Sequence, residues 1–171
     1  MIYTIGHSTR TLDEFIELLR AHEIAQVADV RTIPKSRRHP HFAREALERS
    51  LRGAGVGYRH FAALGGLRRP RPDSHNSAWR HEGFRGYADH MASAEFTTAV
   101  DELISWASRT PTAVMCAEAM WWQCHRRLLA DALAARGVEV RHIMSAAAAP
   151  LHEVTEFARI DAGRVSYPGL V

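Results

Sequence analysis

The sequence has few cysteines and no long apolar run. Two cysteines in 171 residues are too few for a disulfide framework, so an ordinary hydrophobic core must supply the stability. No stretch approaches the roughly 20 apolar residues of a membrane helix, and Met1-Ile2-Tyr3 does not begin a secretion signal. These absences predict a protein of the reducing cytoplasm that does not associate with membranes.

Familiar ligand-binding signatures are also missing. Gly65-Gly66 has no Gly-x-Gly-x-x-Gly or Walker pattern around it, so a tight turn is the simpler interpretation. Cys116-Ala117-Glu118 is similar to the tripeptide of zinc-dependent cytidine deaminases, but no Pro-Cys-x-x-Cys follows it. The sequence therefore argues against deaminase chemistry.

What the sequence does contain is a regular alternation of predicted strands and helices. Apolar periodicity predicts strands over 2–5, 27–30, 56–60, 113–116 and 138–143, and helices over 11–24, 44–52, 96–107 and 128–136. This order predicts one α/β domain over residues 1–171, a single layered domain with a mainly parallel β-sheet flanked by helices. A long basic loop is expected at about 65–86, and an irregular tail from about 145.

Polar side chains follow three of the predicted strands. Parallel strands end at the same edge of a sheet, so the loops after Ile5, Val30 and Met115 are expected to meet in one cleft. The candidates for chemistry in these loops and beside them are Cys116, Glu118, His125 and His7, and those for anion binding are Arg31, Ser36, Arg37, Arg126 and Ser8.

Cys116 is the first candidate nucleophile. A thiol with the ordinary pKa of about 8.5 is only slightly ionised at neutral pH, so Cys116 would need a positive environment from His7, Arg31 or the last helix. Cys124 lies near the start of that helix, where thiol pKa values fall. The alternative is that Cys116 is a small buried apolar residue of the core strand.

Glu118 and two histidines are the candidate proton carriers. Glu118 lies two residues after Cys116 and is placed to act as a general base, a metal ligand or an arginine partner. His7 and His125 lie at element junctions, where a pKa near 6.5 suits proton transfer, although His125 is equally placed to cap the last helix. These groups and the thiols also form a candidate zinc or iron site, although their spacing matches no familiar pattern, so metal and haem stay open.

Basic residues are concentrated in two segments, although the net charge is only +3. The first holds Lys35, Arg37, Arg38, His39 and His41, and the second holds Arg68, Arg69, Arg71, His75, Arg80, His81 and Arg85. Cations among aromatic residues suit a phosphate-bearing small molecule or a nucleic acid. The alternative is a solvated basic surface.

Several short motifs in one order carry a resemblance to a known family. They are Tyr3–Ser8, Asp29–Arg31 with Pro34 and Ser36-Arg37, Leu64–Gly66, Phe84–Ala88, and Cys116–Glu118 through Cys124–Arg126. On these segments, from Met1 to about Ile143, the chain resembles the family called domain of unknown function 488. The resemblance implies a small α/β domain and brings no reaction, substrate or cofactor. Many members have an acidic residue and a proline where this chain has Met120-Trp121-Trp122, which implies a more apolar rim here.

Three hypotheses follow for the function. The first is an enzyme, a hydrolase or a transferase, that acts on a phosphate-bearing ligand such as a nucleotide or nucleic acid. The alternatives are a non-catalytic nucleic-acid binding module and a redox protein linked to a metal or haem. Trp121 and Trp122 are in addition candidates for the contact of a homodimer.

Overall fold

Five parallel strands form the centre of the computed structural model, which describes residues 1–170. The strands are β1 Ile2–Gly6, β2 Gln26–Asp29, β3 Gly57–His60, β4 Thr112–Cys116 and β5 Val140–His142. The helices are α1 Leu12–Ala21, α2 Arg44–Gly53, α3 Glu82–Met91, α4 Ala94–Ala107 and α5 Arg126–Ala135. The predicted α/β class with a parallel sheet is confirmed. No helix of residues 1–170 is both long and apolar enough to cross a membrane.

The strand order places three site-bearing loops side by side. The order across the sheet is β3-β2-β4-β1-β5, so β4 lies between β1 and β2. In the strand register Gly6 is opposite Cys116, and Asp29 is opposite Met115. The carboxyl ends of β1, β2 and β4 therefore meet at one edge of the sheet, as expected for ligand sites in parallel sheets.

Helices cover both faces of the sheet, and the sequence of β4 shows why. Ala113 and Met115 point into the core under α1 and α2, whereas Val114 and Cys116 point into the core under α3, α4 and α5. All five residues of β4 are buried, so the strand is apolar along its whole length, as central strands of parallel sheets are. Cys116 thus ends a core strand with its side chain on the α5 side.

The long basic loop ends earlier than the sequence pattern indicates, because helix α3 begins at Glu82. Two glycines in α3, Gly83 and Gly86, lower its helix propensity and hide its periodicity. Gly86 has a packing reason to be glycine, since a side chain there would overlap the backbone carbonyl of Arg68. The helix start is fixed by His81, whose ring accepts a hydrogen bond from the Phe84 amide.

The segment after residue 145 contains a hairpin where the sequence pattern indicated only irregular chain. Strands β6 Arg159–Asp161 and β7 Arg164–Ser166 pair antiparallel. Asp131 of α5, which is fully buried, ties this segment to the main sheet, because it accepts hydrogen bonds from His152 at 2.7 Å and from the Tyr167 hydroxyl at 2.7 Å. Each strand has only three residues and is largely exposed, so it has no apolar periodicity that would reveal it in the sequence.

The end of β1 makes a close crossing with the chain that follows β4. The His7 amide donates to the Cys116 carbonyl at 2.9 Å, and the Ser8 amide donates to the Ala117 carbonyl at 3.0 Å. A Cβ atom added at Gly6 would overlap the carbonyl group of Glu118. Only glycine therefore allows the loop after β4 to lie across the end of β1.

We expect the substitution Gly6→Ala to lower the free energy of unfolding by about 1–3 kcal/mol, because the added methyl group forces the two backbones apart. The measurement is urea unfolding followed by circular dichroism. Gly53→Ala is the matched control, since Gly53 ends α2 with nothing within 4 Å of an added Cβ. A stability of Gly6→Ala equal to that of Gly53→Ala would contradict the close crossing.

Candidate functional site

A pocket of about 380 Å³ opens at the carboxyl edge of the sheet. Its walls come from the loops after β1, β2 and β4, from the turn at Gly66, and from the start of α5. The lining residues are His7, Arg31, Thr32, Ile33, Lys35, Ser36, Gly66, Leu67, Cys116, Ala117, Glu118, Cys124 and His125. The structure thus brings six of the nine predicted site residues into one pocket.

Two free thiols lie at the base of this pocket. The sulfurs of Cys116 and Cys124 are 3.1 Å apart, and the two residues are eight positions apart in the chain. Cys116 is 2% exposed at the end of β4, whereas Cys124 is partly exposed just before α5. The reachable sulfur is therefore that of Cys124.

Arg126 is buried directly behind the thiol pair. Its side chain is 1% exposed, and its Nε donates to the Cys124 sulfur at 3.2 Å. The remaining donors reach the carbonyls of Glu118 and Ala119 and the hydroxyl of Thr4. Among residues 1–170 no carboxylate forms an ion pair with Arg126. A buried cation requires a compensating anion, and the thiolate of Cys124 is the group placed to supply it.

The pKa values of the two thiols shift in opposite directions because their surroundings differ. Burial and the hydrogen bond to Cys124 raise the pKa of Cys116 well above its usual value. Burial alone would raise the pKa of Cys124, but the hydrogen bond from Cys116 and the charge of Arg126 outweigh it and lower this pKa to about 6. At neutral pH the shared proton therefore lies on Cys116, and Cys124 is the thiolate.

This arrangement differs from the expectation that Arg126 and Arg31 bind a ligand anion. Arg126 is directed at the thiol and at backbone carbonyls behind the pocket. Arg31 forms a bidentate ion pair with the buried Asp29, at 2.9 and 2.7 Å, and donates to the carbonyl of Phe42 at 2.7 Å. Both guanidinium groups hold the walls of the pocket in place.

His7 is held on the β1 side of the pocket. Its Nδ1 lies 3.0 Å from the Ser8 carbonyl and must carry the proton, so Nε2 is the acceptor that faces Arg31 at 3.5 Å. Burial lowers the pKa of His7 to about 4, and the charge of Arg31 adds to this decrease. The ring also stacks on Phe42 at 4.3 Å between centroids. His7 is therefore neutral and fixed at working pH.

His125 is neutral for the same reason but has a free nitrogen. Its Nε2 lies 3.0 Å from the carbonyl of Val30 and must donate to it, which leaves the lone pair on Nδ1. Burial lowers the pKa of His125 to about 4, with a further contribution from Arg126. A Cβ added at Gly66 would lie 2.9 Å from Nδ1, so this glycine keeps the space next to the free nitrogen open.

The carboxylate and the cation of the pocket lie at its mouth. Glu118 is exposed, and its Oε1 accepts a hydrogen bond from the Ala119 amide at 3.1 Å. Lys35 is exposed on the loop after β2, next to Ser36, whose hydroxyl accepts from the His39 amide at 3.0 Å. Of the predicted anion-binding residues, Arg37, Arg126 and Ser8 are not among the described residues that line the pocket.

The tryptophans beside the site have different environments. Trp121 stacks face to face on His142, with the ring centroids 4.0 Å apart, and is packed into the molecule. Trp122 is 41% exposed. Only Trp122 therefore keeps the exposure that the expected homodimer contact needs.

The thiols and histidines do not converge as a metal site would require. Within residues 1–170, no three His, Cys, Asp or Glu side chains are grouped so that they could hold one metal ion. His7 and His125 each direct one nitrogen at a backbone carbonyl. The zinc or iron alternative therefore has no assembled ligand set in this part of the chain.

Sequence reasoning placed Cys116 ahead of Cys124 as the candidate nucleophile and did not indicate that Lys35 and Gly66 line the pocket. The position of Cys124 near a helix start was a visible signal, but the buried Arg126 that makes it a thiolate is visible only in three dimensions. Lys35 was recognisable as part of a basic segment, with no indication that it borders the pocket. Gly66 was interpreted as a turn residue, and its proximity to His125 depends on tertiary packing.

Taken together, these residues define an α/β protein with a cysteine-based site at the carboxyl edge of its parallel sheet. The chain belongs to the family described as Domain of unknown function DUF488, which matches residues 11–133. This finding confirms the resemblance seen in the sequence motifs. Comparison with curated proteins and with solved structures gave no match.

We expect the alkylation rate of Cys124 by iodoacetamide to follow a titration curve with a midpoint near pH 6, because the thiolate is the reactive form. Cys116→Ala removes the hydrogen bond to the Cys124 sulfur and should move this midpoint upward. The measurement is peptide mass spectrometry of the labelled protein, with Cys124→Ser as the control for labelling at Cys116. A wild-type midpoint near the ordinary thiol value of about 8.5 would contradict the assignment.

Proposed function

We propose that this protein is an enzyme, a hydrolase or transferase, that acts on a small phosphate-bearing ligand such as a nucleotide, with Cys124 as its nucleophile. The observation that carries the proposal is the contact between the buried Arg126 and the Cys124 sulfur at the base of an open pocket. A thiolate is a strong nucleophile, and a positive neighbour that keeps it ionised at neutral pH is how cysteine enzymes activate it. This assignment replaces Cys116, which is buried and protonated.

The pocket contains groups for the proton transfers that such a reaction needs. In the first step the thiolate attacks the electrophilic atom of the ligand, a bond to sulfur forms, and the leaving group departs with a proton. Water that enters the open pocket supplies this proton, while the exposed carboxylate of Glu118 lies at the mouth as a hydrogen-bond acceptor. In the second step a water or an acceptor alcohol, deprotonated by the free Nδ1 of His125, releases the product from sulfur. The thiolate is then regenerated.

The phosphate preference is supported by the charge at the mouth of the pocket. Lys35 lines the pocket, and its ammonium group makes no ion pair among the described residues. A volume of about 380 Å³ is within the range of about 300–1,000 Å³ that small-molecule pockets usually have.

The nucleic-acid binding alternative receives less support from the basic loop. Arg68 donates to the carbonyls of Gly65, Ala62 and Ala63, and Arg71 pairs with Asp73 at 3.1 Å. Two of its arginines are thus bonded within the chain. A catalytic pocket explains the thiol, the neutral histidine and the lysine together, whereas a binding module explains only the charge.

The test is a panel of ribonucleoside mono-, di- and triphosphates, with the matching nucleosides, incubated with the protein and analysed by mass spectrometry for products. We expect turnover of a phosphorylated member and none of its nucleoside. Cys124→Ala should lower kcat by about three orders of magnitude or more, because no other group replaces the nucleophile. Cys116→Ala should keep most of the activity above pH 8, where Cys124 ionises without help.

Two further variants separate binding from chemistry. Lys35→Met should raise KM about tenfold or more with little change in kcat, since it removes one charged contact to phosphate. Arg37→Met is its matched control, because Arg37 lies two residues further along the same basic segment but outside the lining, and it should behave as the wild type. Full activity of Cys124→Ala, or equal turnover of nucleosides, would contradict the proposal.

A further inference from the structure

The Cys116–Cys124 pair has a geometry that its use as a single nucleophile does not require. The sulfurs are 3.1 Å apart with no other atom between them, about 1 Å more than the length of a disulfide bond, which is about 2.05 Å. A nucleophilic thiolate needs a hydrogen-bond donor and a positive charge, and both are available to it from Arg126 and its backbone amide. Cys116 also donates to this sulfur and helps to lower the pKa of Cys124, but a hydroxyl group could donate in the same way, so activation alone does not require that the second group be a thiol.

The two cysteines differ in the way that an attacking and a resolving thiol differ. Cys124 borders the pocket and contacts the guanidinium of Arg126, so a small oxidant reaches an ionised sulfur. Cys116 is 2% exposed, so its sulfur is largely shielded from oxidants in solution, and the Cys124 sulfur lies in direct contact with it. Once Cys124 carries oxygen it no longer presents a negative charge to Cys116, and Arg126 then favours ionisation of the remaining thiol.

We propose that Cys116 and Cys124 form a redox-active site in which a hydroperoxide oxidises the pair to an intramolecular disulfide and a thiol such as glutathione reduces it again. The proposal goes beyond the catalytic one, because it needs no phosphate-bearing ligand in the pocket. Both cysteines are free thiols, and within residues 1–170 they are not part of a group of side chains that could hold a metal ion. The proposal assigns a second reactant class, hydroperoxides, to the opening above Cys124.

The chemistry balances in two steps. The Cys124 thiolate attacks one oxygen of the hydroperoxide, so a sulfur–oxygen bond forms, the oxygen–oxygen bond breaks, and the leaving hydroxide or alkoxide takes a proton from water. The Cys116 sulfur then attacks the Cys124 sulfur, the disulfide bond forms, and the oxygen leaves as water with the proton of Cys116. The two thiols lose two electrons, which the peroxide bond accepts. Two molecules of glutathione return these electrons and become glutathione disulfide.

Arg126 determines how easily the disulfide is reduced. Oxidation removes the thiolate that compensates this buried guanidinium, and no described carboxylate replaces it. A dithiol whose reduced form is stabilised by a neighbouring charge gives an oxidising, readily reduced disulfide. The ring closed by residues only eight positions apart constrains the unfolded chain less than a long loop would, and the loss of the charge partner of a buried guanidinium outweighs this gain. The oxidised protein should therefore melt at a lower temperature than the reduced protein, which is opposite to the effect of a structural disulfide.

The experiment treats the fully reduced full-length protein with equimolar hydrogen peroxide at pH 7, then counts free thiols and measures the intact mass under denaturing conditions. We expect the wild type to lose both thiols and the mass of two hydrogen atoms, with no dimer on a non-reducing gel. In Cys116→Ser the reaction should stop at a sulfenic acid on Cys124, which dimedone labels. In Cys124→Ser the thiol of Cys116 should persist at the same dose.

Reduction and melting complete the test. Millimolar reduced glutathione should restore both thiols of the wild type, and the Tm of the oxidised form should be below that of the reduced form. The proposal is overturned if the wild type stops at the same dimedone-labelled product as Cys116→Ser, or if Cys124→Ser loses its thiol as fast as the wild type. Should Cys116→Ser fail to fold, Cys116→Ala provides the same comparison. The two proposals can fail separately. If Cys124→Ala loses turnover but peroxide produces no disulfide in the wild type, the redox proposal fails and the catalytic proposal stands.

Discussion

The architecture of the site depends on one buried cation. Removing a guanidinium from water costs several kcal/mol unless its charge and its donors are matched inside the protein. Arg126 meets this requirement with a sulfur from the turn before α5, two carbonyls from the loop after β4, and a hydroxyl from β1. One side chain therefore ties three separate segments together, and the Cys124 sulfur is the group placed to balance its charge.

This dependence connects stability with chemistry. Under the proposed function, the thiolate that compensates the charge of Arg126 is also the reacting group, so the contact that stabilises the buried guanidinium also keeps Cys124 ionised. Cys116 and Cys124 have sulfurs 3.1 Å apart but opposite protonation states. Burial keeps Cys116 protonated, whereas the guanidinium of Arg126 favours the thiolate of Cys124. The neutral histidines, each donating to a backbone carbonyl, complete a pocket that is rigid before any ligand arrives.

The sequence was sufficient for the class of fold and for the edge of the sheet at which most of the candidate residues meet. Apolar periodicity predicted the parallel α/β arrangement, and the polar residues after β1, β2 and β4 predicted the edge where they meet. The sequence could not predict the roles of the individual side chains, because these roles depend on which charged groups lie next to each guanidinium in the folded structure. Arg31 has Asp29 as its partner and Arg126 has a sulfur, a difference that periodicity does not contain. Helix α3 was missed because Gly86 serves packing against Arg68 at the expense of helix propensity.

The central position of β1 in the sheet has a consequence for biosynthesis. The first strand to leave the ribosome pairs with β4 and β5, which lie more than a hundred residues later in the chain. Contacts so distant in sequence form late, and domains emerge from the ribosome in order from the amino terminus. Residues 2–6 therefore remain unpaired during the time in which β2 and β3 can already pair with each other. Arg126 therefore gains the hydroxyl of Thr4 only after the chain from β4 to α5 has been synthesised, so the contacts of this buried guanidinium are completed when β1 enters the sheet.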